Sequence, residues 1–139
     1  MNWITWALLS ALFAGLTAIF AKIGVANVGS NLATAIRTTV VLLLAWAIAI
    51  ATRESAGIAA LSKRTWLFLA LSGLATGLSW LCYFRALQLG DASRVAPIDK
   101  LSIVFVLIFA ALFLHEPLTW KTVCGVGLIV GGAVLLAMK

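Results

Sequence analysis

The sequence predicts an all-α membrane protein of five transmembrane helices. Of its 139 residues, 64% are hydrophobic and only 10% are charged, too little polar surface to keep a soluble domain of this size in solution. The apolar residues come in runs of about twenty, the length that crosses a bilayer core as a helix. These runs also lack the period-two alternation of barrel strands. Almost nothing is left over for a water-soluble domain, so residues 1–139 are expected to form a single transmembrane domain.

The first span is expected over about Trp3–Ala21. No basic region precedes it, its apolar stretch is long and further spans follow, so it is not expected to be a cleaved signal peptide. Trp6, Ser10, Ala14, Thr17 and Ala21 share one face of it, which makes Ser10 and Thr17 candidates for a cavity or gate. Lys22 closes the span, and VANVGSN supplies turn formers. The second span runs over about Leu32–Thr52, with Arg37 some five residues inside it. RESAGIAALSKRT, the one connection with several charges, follows as a loop.

The third span, about Trp66–Leu87, carries the strongest polar pattern. Ser72, Thr76, Ser79 and Tyr83 fall at i, i+4, i+7 and i+11 and so form one narrow stripe. Trp80, Gly73 and Gly77 border it, while Leu67, Leu74, Leu78 and Leu81 lie opposite, facing lipid. Such a stripe either lets helices pack closely or lines a polar cavity. The bulk of Trp80 and Tyr83 favours the cavity. Gly90 is placed to end this helix, and Asp91 or Ser93 to cap the next.

The fourth span, about Val95–Leu114, opens on Pro97-Ile98-Asp99-Lys100-Leu101-Ser102 and continues as twelve apolar residues. Two charges at the bilayer centre cost about 5–7 kcal/mol, and twelve apolar residues offset about 4–7 kcal/mol. Asp99 and Lys100 can therefore lie deep. A helix starting at Pro97 would leave them at the surface; one starting near Ser93 would put them about two turns in. Asp99 is also a candidate proton carrier. HEPLTW then makes a sharp turn, because Pro117 disfavours helix at Glu116, and Thr119 is placed to cap the fifth span, about Lys121–Met138. There Gly127 and Gly131 form GxxxG, a helix-packing pattern suited to an interface between subunits.

The basic residues are divided almost evenly between the two membrane sides: Arg53, Lys63, Arg64 and Lys121 against Lys22, Arg85, Arg94 and Lys139, with Arg37 and Lys100 added if they reach the surface. A balance this even leaves two readings open: the chain inserts both ways up, or features other than the basic residues select one orientation. These cations sit mainly near span ends, where they meet lipid headgroups, so no nucleic-acid partner is expected. Cys82 and Cys124 lie apart, with no CxxC and one histidine in the chain. No metal site and no cofactor are expected, and no HExxH, P-loop or GxSxG supplies an enzyme's chemistry.

The order of pieces resembles the EamA-type family of the drug/metabolite transporter superfamily. ALFAGLTAIFAKIG is similar to that family's opening helix and its lysine, NLATAIRTTVVLLL to its second helix, LSGLATGLSWLCYFRALQLGDASRVAP to its third helix and turn, and FAALFLHEPLTWKTVCGVGLIVGGAVLL to its ending. Two departures stand out: Ala14-Gly15 replaces a Trp-Gly pair, and DKLS replaces an uncharged stretch. The resemblance implies a secondary active transporter, often an exporter, of a small metabolite or drug-like solute, working by alternating access in a bacterial inner membrane. Members usually carry two inverted five-helix repeats, so one repeat implies completion by an antiparallel homodimer. It also implies a cavity lined by helices 1, 3 and 4. Ser72, Thr76, Ser79, Trp80, Tyr83, Asp99 and Lys100 are then the expected solute-binding residues, Ser10, Thr17, Lys22 and Arg37 the expected cavity or gating residues, and Gly127 and Gly131 the dimer contact. The alternative is a non-transporting membrane subunit that assembles with another membrane protein.

Overall fold

The computed structural model describes residues 2–138; Lys139, counted above in the charge balance, lies outside them. Its helices are α1 (Trp3–Gly24), α2 (Ser30–Ala51), α3 (Lys63–Leu89), α4 (Ala92–Asp99), α5 (Ser102–Phe113) and α6 (Trp120–Ala137), with a 3-10 segment over Glu54–Ala60. Taking α4 and α5 as one span, Ala92–Phe113, five helical stretches among the described residues are long and apolar enough to cross a membrane. This is the all-α membrane fold that the sequence predicts. Large apolar side chains such as Leu8, Phe13, Leu43, Leu74 and Leu128 point outward, as they must where the solvent is lipid.

The chain forms two compact units. One comprises Ala21–Gln88; the other comprises α1 up to Phe20 and the chain from Leu89 onward. In the first, Ala21, Val25, Thr34, Phe84 and Leu87 are buried. In the second, α4 packs along α6, and Ala110 and Ala133 are buried. On α5, Phe105, Phe109 and Phe113 stack at i, i+4 spacing, with ring centroids 6.5 and 6.0 Å apart, and all three face outward.

Helix ends follow local chemistry. Thr119 caps α6, its side chain accepting the Thr122 N–H at 3.2 Å. Asp91 holds the N-cap position of α4 but makes no capping bond; its carboxylate lies 3.8 Å from Arg94 instead. Gly90 follows the last residue of α3, as its position suggests, without a left-handed backbone. His115, at φ 56°, turns the chain after α5 so that the Glu116 N–H reaches back to the Ala110 carbonyl at 3.2 Å. Pro117 then prevents helix from resuming at once. Two expectations need revision. α3 begins at Lys63 rather than Trp66, because the Ser62 hydroxyl accepts the Thr65 N–H at 3.1 Å and starts the helix three residues early. The loop after α2 contains the 3-10 segment, entered through Arg53 in the left-handed region.

The fourth span is broken. α4 starts at Ala92, so Pro97 is its sixth residue and lies past the first turn. The absent N–H leaves the Ser93 carbonyl without its i+4 donor. Beyond it, Lys100 and Leu101 donate to Pro97 and Ile98 at 3.1 and 3.0 Å, and Ile103 and Val104 to Lys100 and Leu101 at 3.1 and 3.0 Å. This i to i−3 pattern is the tighter 3-10 winding. Asp99 and Lys100 therefore stand at an interruption about a third of the way along the span, not at its mouth. Pro97→Ala should restore regular winding, raise stability by about 1–3 kcal/mol and slow amide hydrogen exchange over residues 100–104. Unchanged exchange there would detach the break from the proline.

Candidate functional site

In the Ala21–Gln88 unit, α2 and α3 meet around a cation. Arg37 is the eighth residue of α2, about 10 Å along the helix; the helix starts at Ser30, two residues earlier than expected, which carries Arg37 deeper. Its guanidinium carbon lies 4.0 Å from the centroid of the Trp80 ring and 5.5 Å from that of Phe84. Trp80 and Phe84 are i and i+4 on α3, so their rings lie one above the other on a single face. The Tyr83 side chain is within electrostatic reach of the same guanidinium. An arginine inside an apolar span costs about 2.5–3.5 kcal/mol, and a desolvated guanidinium stacked on an indole offsets about 2 kcal/mol of that. Thr34, one turn before Arg37, is buried and returns its hydroxyl to the Ser30 carbonyl at 2.8 Å.

A second set of ties lies at the C-terminal end of α3. Lys22 Nζ donates to the Leu87 carbonyl at 2.7 Å, one of the carbonyls that a helix end leaves without a partner. An ammonium there also complements the helix dipole. Gln88 Nε2 donates to the Val28 carbonyl at 2.7 Å, and Arg85 Nη1 donates to Gln88 Oε1 at 3.0 Å. Gln88 thus pins the connection between α1 and α2. Beside it opens a hollow of ≈ 470 Å³ lined by Ala26–Asn31, Arg85 and Gln88.

The expected solute-binding stripe divides along α3. Ser72, Thr76 and Ser79 are exposed, whereas Trp80 and Tyr83 are half-buried. The Thr76 hydroxyl donates to the Ser72 carbonyl at 2.9 Å and keeps its acceptor capacity. A Cβ added at Gly73 or Gly77 would meet nothing within 4 Å, so the small residues of α3 are not spent on close packing within the chain. In the other unit, Asp99 Oδ2 and Lys100 Nζ lie 3.7 Å apart, and both residues are exposed. Neighbours in sequence do not share a helix face, which explains the long separation. Ser10 is exposed and Thr17 half-buried on α1. Gly127 and Gly131 are exposed on α6, and a Cβ on either would meet nothing within 4 Å.

The structure therefore joins Arg37 to Trp80, with Tyr83 nearby, and Asp99 to Lys100. Sequence reasoning passed over Phe84 and Gln88. The i+4 spacing from Trp80 to Phe84 held the signal for the first. For Gln88, an amide one turn from the end of an apolar helix is a weak signal.

Five membrane-compatible helices among the described residues define a polytopic membrane protein. The EamA-like transporter family model matches residues 1–138, and the chain belongs to that family. It is 60% identical over 137 residues to an uncharacterized transporter in the cobO 3' region of a Sinorhizobium species, covering 99% of this chain and 97% of that one. It is 34% identical over 89 residues to the probable 4-amino-4-deoxy-L-arabinose-phosphoundecaprenol flippase subunit ArnE of Escherichia coli, covering 60% and 78%. It is 35% identical over 71 residues to the uncharacterized transporter YvbV of Bacillus subtilis, covering 51% of this chain and 23% of that protein. No solved structure matches the chain.

Gln88→Ala should lower stability by about 1 kcal/mol and speed amide exchange over residues 25–31. Exchange confined to its wild-type rate would show that the connection is held by other contacts.

Proposed function

We propose that this membrane transporter is a secondary active exporter of a small metabolite or drug-like solute, working by alternating access in a bacterial inner membrane. The observation that carries the reading is the α3 stripe, whose hydroxyls stay exposed while its aromatic end packs against an arginine. A membrane helix that keeps a serine–threonine face open, and needs none of its glycines for packing within the chain, is suited to lining a solute path. Ser72, Thr76, Ser79, Trp80 and Tyr83 bind the solute, and Lys22, Arg37, Ser10 and Thr17 act in the cavity or gate. Asp99 and Lys100, at the broken fourth span, bind polar groups of the solute or separate and rejoin during the cycle. Broken membrane helices of this sort serve transporters as ligand sites.

One five-helix repeat is completed by a second copy inserted the opposite way up. Two observations support this: the nearly even split of basic residues and the open Gly127/Gly131 face of α6. YvbV, of which this chain matches 23%, is more than twice as long, which suits a family whose longer members hold two repeats. A second reading has its own support. The ArnE relatives are named flippase subunits; in this reading the chain is one component of a heteromeric carrier, its open faces filled by another membrane protein.

Two measurements separate these. Cysteines at Asn2 and Lys139, in a Cys82→Ala/Cys124→Ala background made necessary because both native thiols are exposed, should each label from outside in part of the population if the chain inserts both ways. One fixed orientation would exclude self-inversion and favour the subunit reading. Purified protein in liposomes, screened against a panel of labelled small metabolites, should give saturable uptake that Thr76→Val and Trp80→Ala each reduce about tenfold or more. Absence of transport by the purified protein, restored by a co-purifying membrane protein, would overturn the self-sufficient carrier.

A further inference from the structure

We propose that Arg37, held over the Trp80 ring, is an oxyanion-binding residue, so that the ligand of this transporter carries a carboxylate or phosphate group. The inference rests on the transporter reading for its cavity, and on three observations for its charge. First, the guanidinium carbon lies over the Trp80 ring, 4.0 Å from its centroid. A guanidinium carries its five N–H donors in a planar fork that matches two oxygens of one anion, and a ring meets its charge without supplying an acceptor oxygen. Stacking also removes the flexibility that a long side chain would otherwise lose on binding.

Second, among the described residues no carboxylate pairs with this cation. The ion pairs among the described residues are Arg94–Asp91 and Lys100–Asp99. Between Ala21 and Gln88 the only acidic residue is Glu54, in the 3-10 segment at the opposite end of α2. An arginine within an apolar span is ordinarily paired or committed to a function. Here the aromatic rings stabilise its charge without neutralising it. Third, Tyr83, the one tyrosine of the chain, is within electrostatic reach of the guanidinium and lies on the stripe that lines the solute path. A cationic solute would be repelled from this site. The anion is either a group on a free solute or the phosphate of a lipid headgroup, which offer the same chemistry.

The test uses the whole protein in phosphatidylcholine nanodiscs. Phenyl phosphate and benzoate are titrated while the thermal unfolding midpoint is followed, with benzyl alcohol as the uncharged analogue. At least one anion should raise the midpoint saturably, as a ligand of the native state must, and benzyl alcohol should not. Arg37→Gln should weaken the apparent affinity by about tenfold or more. Arg37→Lys, which keeps the charge but loses the fork, should weaken it less. Should Arg37→Gln not fold, Arg37→Lys and Trp80→Leu carry the test, and wild-type affinity in both overturns the proposal. It is equally overturned if no anion shifts the wild-type midpoint, or if Arg37→Gln responds as the wild type does. Phosphatidylglycerol in the nanodisc distinguishes the sources. If it raises the midpoint by itself and blocks phenyl phosphate in the wild type but not in Arg37→Gln, the ligand is a headgroup; if it does neither, the ligand is a free solute. The transporter reading fails separately. Transport of a neutral or cationic solute at the same rate in Arg37→Gln removes the anion site and leaves transport standing. Anion binding through Arg37 with no solute moved in liposomes does the reverse.

Discussion

Lipid offers no hydrogen bonds, and most of the structure follows from that. Each backbone N–H and C=O within the bilayer must find its partner in the chain itself. Helices answer for their interiors, and their ends and interruptions need particular side chains. Lys22 supplies the donor that the end of α3 lacks. Thr34, Thr38, Thr39 and Thr76 return their hydroxyls to carbonyls four residues back, so these threonines enter apolar surroundings with their donors already engaged. At Pro97 the chain changes winding so that the following N–H groups still find carbonyls, now three residues back. The places where the rule is hardest to satisfy are the places where charged side chains gather.

Much of this was legible in the sequence because lipid simplifies the code. Runs of apolar residues about twenty long announced five spans, and Thr119, Pro117 and Gly90 marked ends that the structure places within a residue or two. What stayed hidden depended on competition between short-range choices. Ser62 could have been another loop serine or a cap; its bond to the Thr65 N–H made it a cap and lengthened α3. Pro97 was compatible with a helix starting at either of two positions, since proline is tolerated throughout a first turn. Only the start at Ala92 puts it where it breaks the span. The partner of Arg37 was equally hidden. The stripe on α3 singled out Trp80, but which residue of α2 would reach it depends on helix rotation, which a single sequence does not specify.

Three cations of the Ala21–Gln88 unit are engaged in three distinct ways. Lys22 is spent on a carbonyl, Arg85 on the amide of Gln88, and Arg37 on aromatic faces. Each of the first two commits a donor N–H to an acceptor oxygen of the protein. The third sets the cation against ring faces, which meet its charge without supplying an acceptor oxygen. The distinction separates Arg37 from Lys22 and Arg85, although all three carry the same formal charge.

The lengths of the helices carry one more consequence. α3 has 27 residues and α6 has 18, so α3 is about 40 Å long and α6 about 27 Å, against a hydrocarbon core of about 30 Å. α6 suits an upright placement. α3 must lean by about 40° or carry its ends into the headgroups, where Lys63, Arg64 and Arg85 can be hydrated. Bilayer thickness thereby becomes an input to the geometry. A thicker membrane lets α3 stand, a thinner one lays it down, and the aromatic face that supports Arg37 turns with it.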